Sequence, residues 1–98
     1  MSSQTELTLK YINLISDAIR LQEEQISNYQ EALIQFKHYK TLNPDSPQYQ
    51  IWLSMISTTE QAIQEQLNTR EAFESIEFKL VTNQVQEAVE ELNNLISN

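Results

Sequence analysis

Glycine and cysteine are both absent from this chain, and proline occurs only twice, at Pro44 and Pro47. Without cysteine there is no disulfide, no thiolate nucleophile and no sulfur ligand for a metal. Without glycine there is no phosphate-cradling loop and no glycine-built oxyanion turn. Positive-φ turns and bulges, which sheets use freely, lose their usual residue, so the composition points to an all-α protein. Bases are also scarce, with six Lys and Arg against fourteen Asp and Glu and a net charge of -8. Residues 1–49 carry six acids and four bases, and residues 50–98 carry eight acids and two bases. Six scattered bases cannot neutralise a row of phosphates, so direct binding of nucleic acid is not expected. An anionic membrane surface is disfavoured for the same reason. No run approaches the roughly 18 apolar residues of a membrane span. The first ten residues, MSSQTELTLK, lack a basic segment followed by an apolar core, so no signal peptide is read there. A cytoplasmic protein is the expectation.

What is present is helical periodicity within a single domain, 1–98. Positions 12, 15, 19, 22, 26, 29, 33 and 36 alternate in steps of three and four and are apolar or aromatic except at Gln22. A second stripe, Leu7, Tyr11, Leu14, Ala18 and Leu21, runs beside the first. The first half of this helix is therefore apolar across a wide arc, which calls for two neighbours. Gln22 either fixes the register of the seam at a cost in stability or folds outward at its edge.

The stretch TLNPDSPQ, residues 41–48, ends one helix and starts another. Pro44 disfavours helix at Asn43. Asp45 followed by Pro47 and Gln48 has the form of an N-cap, a first-turn proline and a capping-box partner. Beyond it no proline or glycine interrupts residues 48–98. Ile51, Trp52, Met55, Ile56, Ile63 and Leu67 form one helical stripe. Phe78, Val81, Val85, Ala88, Leu92 and Leu95 form another. The weakly apolar QEQLNTREA between them admits a stutter in one long helix. It also admits a break in which Asn68 caps a third helix and Glu71 closes the capping box.

The predicted architecture is an antiparallel helical hairpin or coiled coil. Its first helix covers about 5–41, an elbow 42–46 and a long helix about 47–97. The alternative is a three-helix bundle with a break near 68–70. In the long hairpin, Ala88, Val89, Leu92, Leu95 and Ile96 overhang the first helix. Exposed apolar surface of that kind marks association. Ile12, Ile15, Ile19, Leu33, Phe36, Trp52 and Ile56 are expected to hold the seam. Leu7, Tyr11, Leu14, Val85, Val89, Leu92 and Ile96 are expected to carry self-association, as a homodimer or a higher species.

Tyr29, Ala32, Phe36, Tyr39 and Pro44 have the spacing of the second helix of a tetratricopeptide repeat, and that stretch resembles one. Arg20 stands where the repeat has glycine, and Ser27-Asn28 where it has its inter-helix turn. The pattern does not return after Pro44, and such repeats need about three copies to bury a core. A plain helix ending at Asn43-Pro44 accounts for the same residues. Trp52 just past the elbow resembles the WxG type of secreted helical partner, but Ser54 replaces the glycine, so Trp52 reads as a core anchor.

Glu71, Glu74 and Glu77 are spaced i, i+3, i+6, and Glu87, Glu90 and Glu91 form a second acidic group. Di-metal bundles need Glu-x-x-His units, and the only histidine, His38, has Gln35 three residues before it. These carboxylates read instead as a solvated face for a basic protein partner. No metal, cofactor or catalytic centre is expected. The functional expectation is a non-enzymatic helical adaptor or scaffold. Two alternatives are an acidic inhibitor mimicking nucleic acid, to which Glu60 and Glu65 would add charge, and a helical export partner or chaperone.

Overall fold

The structure is a computed structural model that describes residues 3–42 and 44–97, with side chains from Thr5 onward. The chain is all-α, with no strand among the described residues. α1 spans Ser3–Leu42, α2 Tyr49–Val81 and α3 Val85–Ser97. α1 and α2 pair antiparallel, and α3 turns back along the last part of α2. The molecule is a rod of 66 × 21 × 16 Å, and α1 alone accounts for about 60 Å of helix at 1.5 Å per residue. One end of the rod holds three helices and the other holds two.

The elbow falls where the prolines put it, although Asn43 lies outside the described residues. Its capping differs from the expected form. α2 begins at Tyr49 rather than Pro47, and Gln48 makes no side-chain cap. The Ser46 hydroxyl, not the Asp45 carboxylate, accepts the Gln48 N–H at 3.1 Å. The Ser46 carbonyl then accepts the Tyr49 N–H at 3.0 Å. Immediately beyond, the Trp52 ring stacks on Phe36 with centroids 6.0 Å apart and tilts against Tyr39 at 5.2 Å. Trp52 is thus an anchor of the two-helix end, and the glycine-less elbow is braced by three rings.

Two expectations about the second half of the chain are corrected. There is no break at 68–70. The Asn68 carboxamide accepts from Gln64 Nε2 at 3.0 Å, and the Thr69 hydroxyl donates to the Glu65 carbonyl at 3.0 Å. Both side chains are therefore occupied within a continuing helix and do not cap a new one. Nor is there one long helix over 47–97. The chain turns at Thr82-Asn83-Gln84, where Asn83 takes φ 64°. The Asn83 N–H donates to the Leu80 carbonyl at 3.2 Å and the Gln84 N–H to the Lys79 carbonyl at 2.7 Å. This pair of bonds is a Schellman stop, with asparagine in the position glycine usually fills.

Because of that turn, the residues expected to overhang α1 fold back on their own chain. Ala88 is almost wholly buried, in one core with Ile15, Ile76 and Leu80. Tyr11, Ile12, Ile19, Phe73, Val85, Leu92 and Leu95 pack around them. The core register on α2 is also corrected. Phe73, Ile76 and Leu80 face inward, while Phe78 and Val81 remain 62% and 60% exposed. Burying Ile76 from an exposed reference contributes about 1.5–3 kcal/mol. No turn occurs at Ser27-Asn28, since α1 runs straight through them. The tetratricopeptide resemblance therefore ends at spacing.

Gln22 lies in the middle of the α1–α2 seam, and its Oε1 is buried without a hydrogen-bond partner. Near the same level Arg70 reaches Glu74 at 3.2 Å and, across the seam, Glu23 at 3.9 Å. A polar layer thus separates the apolar clusters of the two ends.

Candidate association surface

One position in seven of α1 builds the surface. The wide arc read from the sequence divides in the fold. Ile12, Ile15 and Ile19 turn into the core, and Tyr11 lies at its border beside α3. One step further round, Leu7, Leu14 and Leu21 repeat at intervals of seven and stay 49%, 56% and 55% exposed. Heptad spacing keeps such residues in one row along a helix. The row is uncovered because α3 seats against α2 rather than centrally over α1. A small apolar cleft is left between α1 and α3, with Tyr11 and Ile15 on one wall and Val89, Leu92 and Asn93 on the other.

The seven residues expected to carry association are therefore gathered at the three-helix end, but not all are free. Tyr11, Val85, Val89 and Leu92 are half-buried within their own chain. Leu7, Leu14 and Ile96 are exposed. Ile96 lies one turn beyond Leu92, and Leu7 and Leu14 flank Tyr11 at i−4 and i+3. Leu21 belongs to the sequence stripe but not to the residues expected to carry association, and it extends the row.

The six acidic residues do not form one uniform face. Glu74 pairs with Arg70. Glu77 accepts the Ser16 hydroxyl at 2.7 Å, tying α2 to α1. Glu91 pairs with Lys79 at 3.0 Å and accepts the Ser75 hydroxyl at 3.2 Å, tying α3 to α2. Glu71, Glu87 and Glu90 are exposed. The Lys79–Ser75–Glu91 clasp was not read from the sequence. Its signal was present, since a base in the last turn of a helix ending at an asparagine suggests a helix terminus.

Among the described residues no group of three or more His, Asp or Glu side chains could hold a metal ion, and no helix is long and apolar enough to cross a membrane. His38 is exposed and touches only the Tyr39 ring among aromatic neighbours, with centroids 6.1 Å apart. No family model, curated protein or solved structure matches the chain.

Proposed function

We propose that this chain is a non-enzymatic helical interaction module that associates with itself and serves as an adaptor or scaffold. The observation that carries the reading is the row of Leu7, Leu14 and Leu21, each about half exposed, beside the open α1–α3 cleft. Three leucines in heptad register form a knobs-into-holes surface without a partner helix. Two copies related by a two-fold axis would cover each other's row, since such an interface is self-complementary. An acidic chain gains nothing from a like-charged copy through its carboxylates, so apolar contact is the term available to drive pairing.

Light scattering behind a sizing column, at several concentrations and two salt levels, tests this. A dimer that persists in high salt is expected, because apolar contact is not screened. The double substitution Leu14→Glu, Leu21→Glu should return it to monomer with helicity unchanged, as both side chains face solvent. A wild-type monomer at every concentration overturns the proposal.

Charge mimicry of nucleic acid draws less support. Glu74, Glu77 and Glu91 are already engaged within the chain, which leaves too sparse a set of carboxylates to imitate a phosphate row. A basic protein partner for Glu71, Glu87 and Glu90 remains compatible with the module, as does a cytoplasmic setting.

A further inference from the structure

The turn between α2 and α3 is specified by weak local signals. Its αL position is occupied by Asn83, at φ 64°, in a chain that contains no glycine. Asparagine tolerates this conformation better than most residues, yet not as freely as glycine does. The apolar contact that commonly closes a Schellman stop pairs the residue after the αL position with one a turn or so back. Here those positions hold Gln84 and Lys79. α3 also lacks a favoured N-cap: Gln84 precedes it and contributes its carbonyl, which accepts the Ala88 N–H at 3.0 Å. Thr82 donates its hydroxyl to the Phe78 carbonyl at 2.7 Å, a bond equally available in a helix interior. The side-chain bond that spans the turn itself is an exposed one, from Gln84 Nε2 to the Thr82 hydroxyl at 2.8 Å.

Nothing in the hinge forbids the straight alternative. No proline or glycine lies between Gln48 and Ser97. The stripe Phe78, Val81, Val85, Ala88, Leu92, Leu95 keeps 3-4-3-4-3 spacing across the turn without a stutter. In the folded-back form that stripe is cut. Val85, Ala88, Leu92 and Leu95 are in the core, while Phe78 and Val81 are 62% and 60% exposed. α3 has only 13 residues, too few to persist as a helix without packing. It must therefore lie on an α2 surface, its own or that of another copy.

We infer that Thr82-Asn83-Gln84 is the hinge of a domain swap, in which α2 and α3 become one helix and α3 packs on α2 of a second copy. The contacts of Ala88 and Leu92 with Ile76 and Leu80 are then remade between chains, and so is the Glu91 clasp on Lys79 and Ser75. Phe78 and Val81 come into line with the α3 stripe at the junction. Short hinges that hold a strained residue favour such exchange. This goes beyond the face-to-face association proposed above, because it needs no contact through Leu14 or Leu21.

Three full-length variants and the wild type, run by light scattering with small-angle X-ray scattering on each peak, test the inference. Thr82→Ala, Asn83→Ala, Gln84→Ala together penalise the αL turn and favour helix, and should raise the dimer fraction several-fold. Asn83→Gly relieves the turn and should lower it below wild type. The swapped dimer sets two hairpins end to end, so its longest dimension should be about 120 Å at 1.5 Å per helical residue, against 66 Å for one copy. A dimer near the single-copy length, or a dimer fraction blind to both hinge variants, overturns the swap. Leu14→Glu, Leu21→Glu separates the two proposals. If it abolishes a dimer that the hinge variants leave alone, the leucine row stands and the swap fails. If it leaves an elongated, hinge-sensitive dimer intact, the swap stands and the row does not.

Discussion

The two ends of the rod present the same groove, filled at one end and empty at the other. At the filled end α3 packs on Ile76 and Leu80 of α2, with Tyr11 and Ile15 of α1 across the narrow cleft from it. Moving 21 residues, three heptads, along each helix leads to Ala32 and Phe36, and to Met55 and Thr59. These residues line an apolar groove at the other end, together with Tyr29, Ser54 and Thr58. Ile76 and Leu80 are 1% and 3% exposed, while Met55 is 38% exposed. Two helices bury one seam, and only a third helix closes the flank. The chemistry of the flank follows its cover, because isoleucine and leucine under α3 give way to methionine and threonine where α3 is missing. Thr59 itself is buried, and its hydroxyl donates to the Met55 carbonyl at 2.7 Å.

The sharpest test of this contrast is a pair of truncations at equivalent positions. Ile76→Ala should cost about 3–4 kcal/mol, since its side chain is almost wholly buried beneath α3. Met55→Ala should cost about 1 kcal/mol, because water can enter where the groove is already open. Urea unfolding monitored by helicity measures both. Equal costs would mean that α3 adds no closure, and the two ends would then be energetically alike.

Trp52→Ala probes what the two-helix end uses in place of a third helix. Removing the indole strips Phe36 and Tyr39 of their ring partner, and a loss of about 2–3 kcal/mol is expected, below the cost of a fully buried aromatic. Native-state amide hydrogen exchange of the variant should accelerate near the elbow first. Faster exchange in α3 instead would show that the ends are coupled through the polar layer rather than separated by it.

Sequence periodicity made the two-helix end more legible than the three-helix end. The prolines marked the elbow within a few residues, and the 3-4 stripe through Ile12, Ile15, Ile19 and Ile26 located the α1 face. Trp52 declared itself by size and position. At the other end the stripe Phe78-Val81-Val85 continued smoothly through a turn, so spacing alone argued against the break that exists. The competing seam, Phe73, Ile76 and Leu80, is equally regular, and only the direction of α3 selects it. The stop rests on Asn83 in the αL region, which asparagine enters without announcing it as glycine would. At 68–70 the opposite occurred, where cap-forming residues spent their side chains inside the helix. The residues expected to carry association fall together at the three-helix end. Their division into covered and free members was not legible, since it depends on where α3 lies.

Gln22 sets the boundary between the two ends, and its replacement gives a gain rather than a loss. Its Oε1 is buried without a partner, and an unmatched acceptor of this kind costs about 1–3 kcal/mol. Gln22→Leu keeps a similar length, continues the seam from Ile19 to Ile26, and should raise stability by about 1 kcal/mol in urea unfolding. An unchanged or lower stability would mean that the carboxamide is satisfied in solution. The register consequence is separate from the stability one. A one-heptad slip is penalised because it would withdraw Arg70 from Glu23 and carry Gln22 out of the polar layer. The more stable Gln22→Leu protein should therefore tolerate neighbouring registers better. The readout is a broader amide spectrum, or slow exchange between two sets of resonances, at Phe36 and Trp52, where the rings report the α1–α2 alignment most directly.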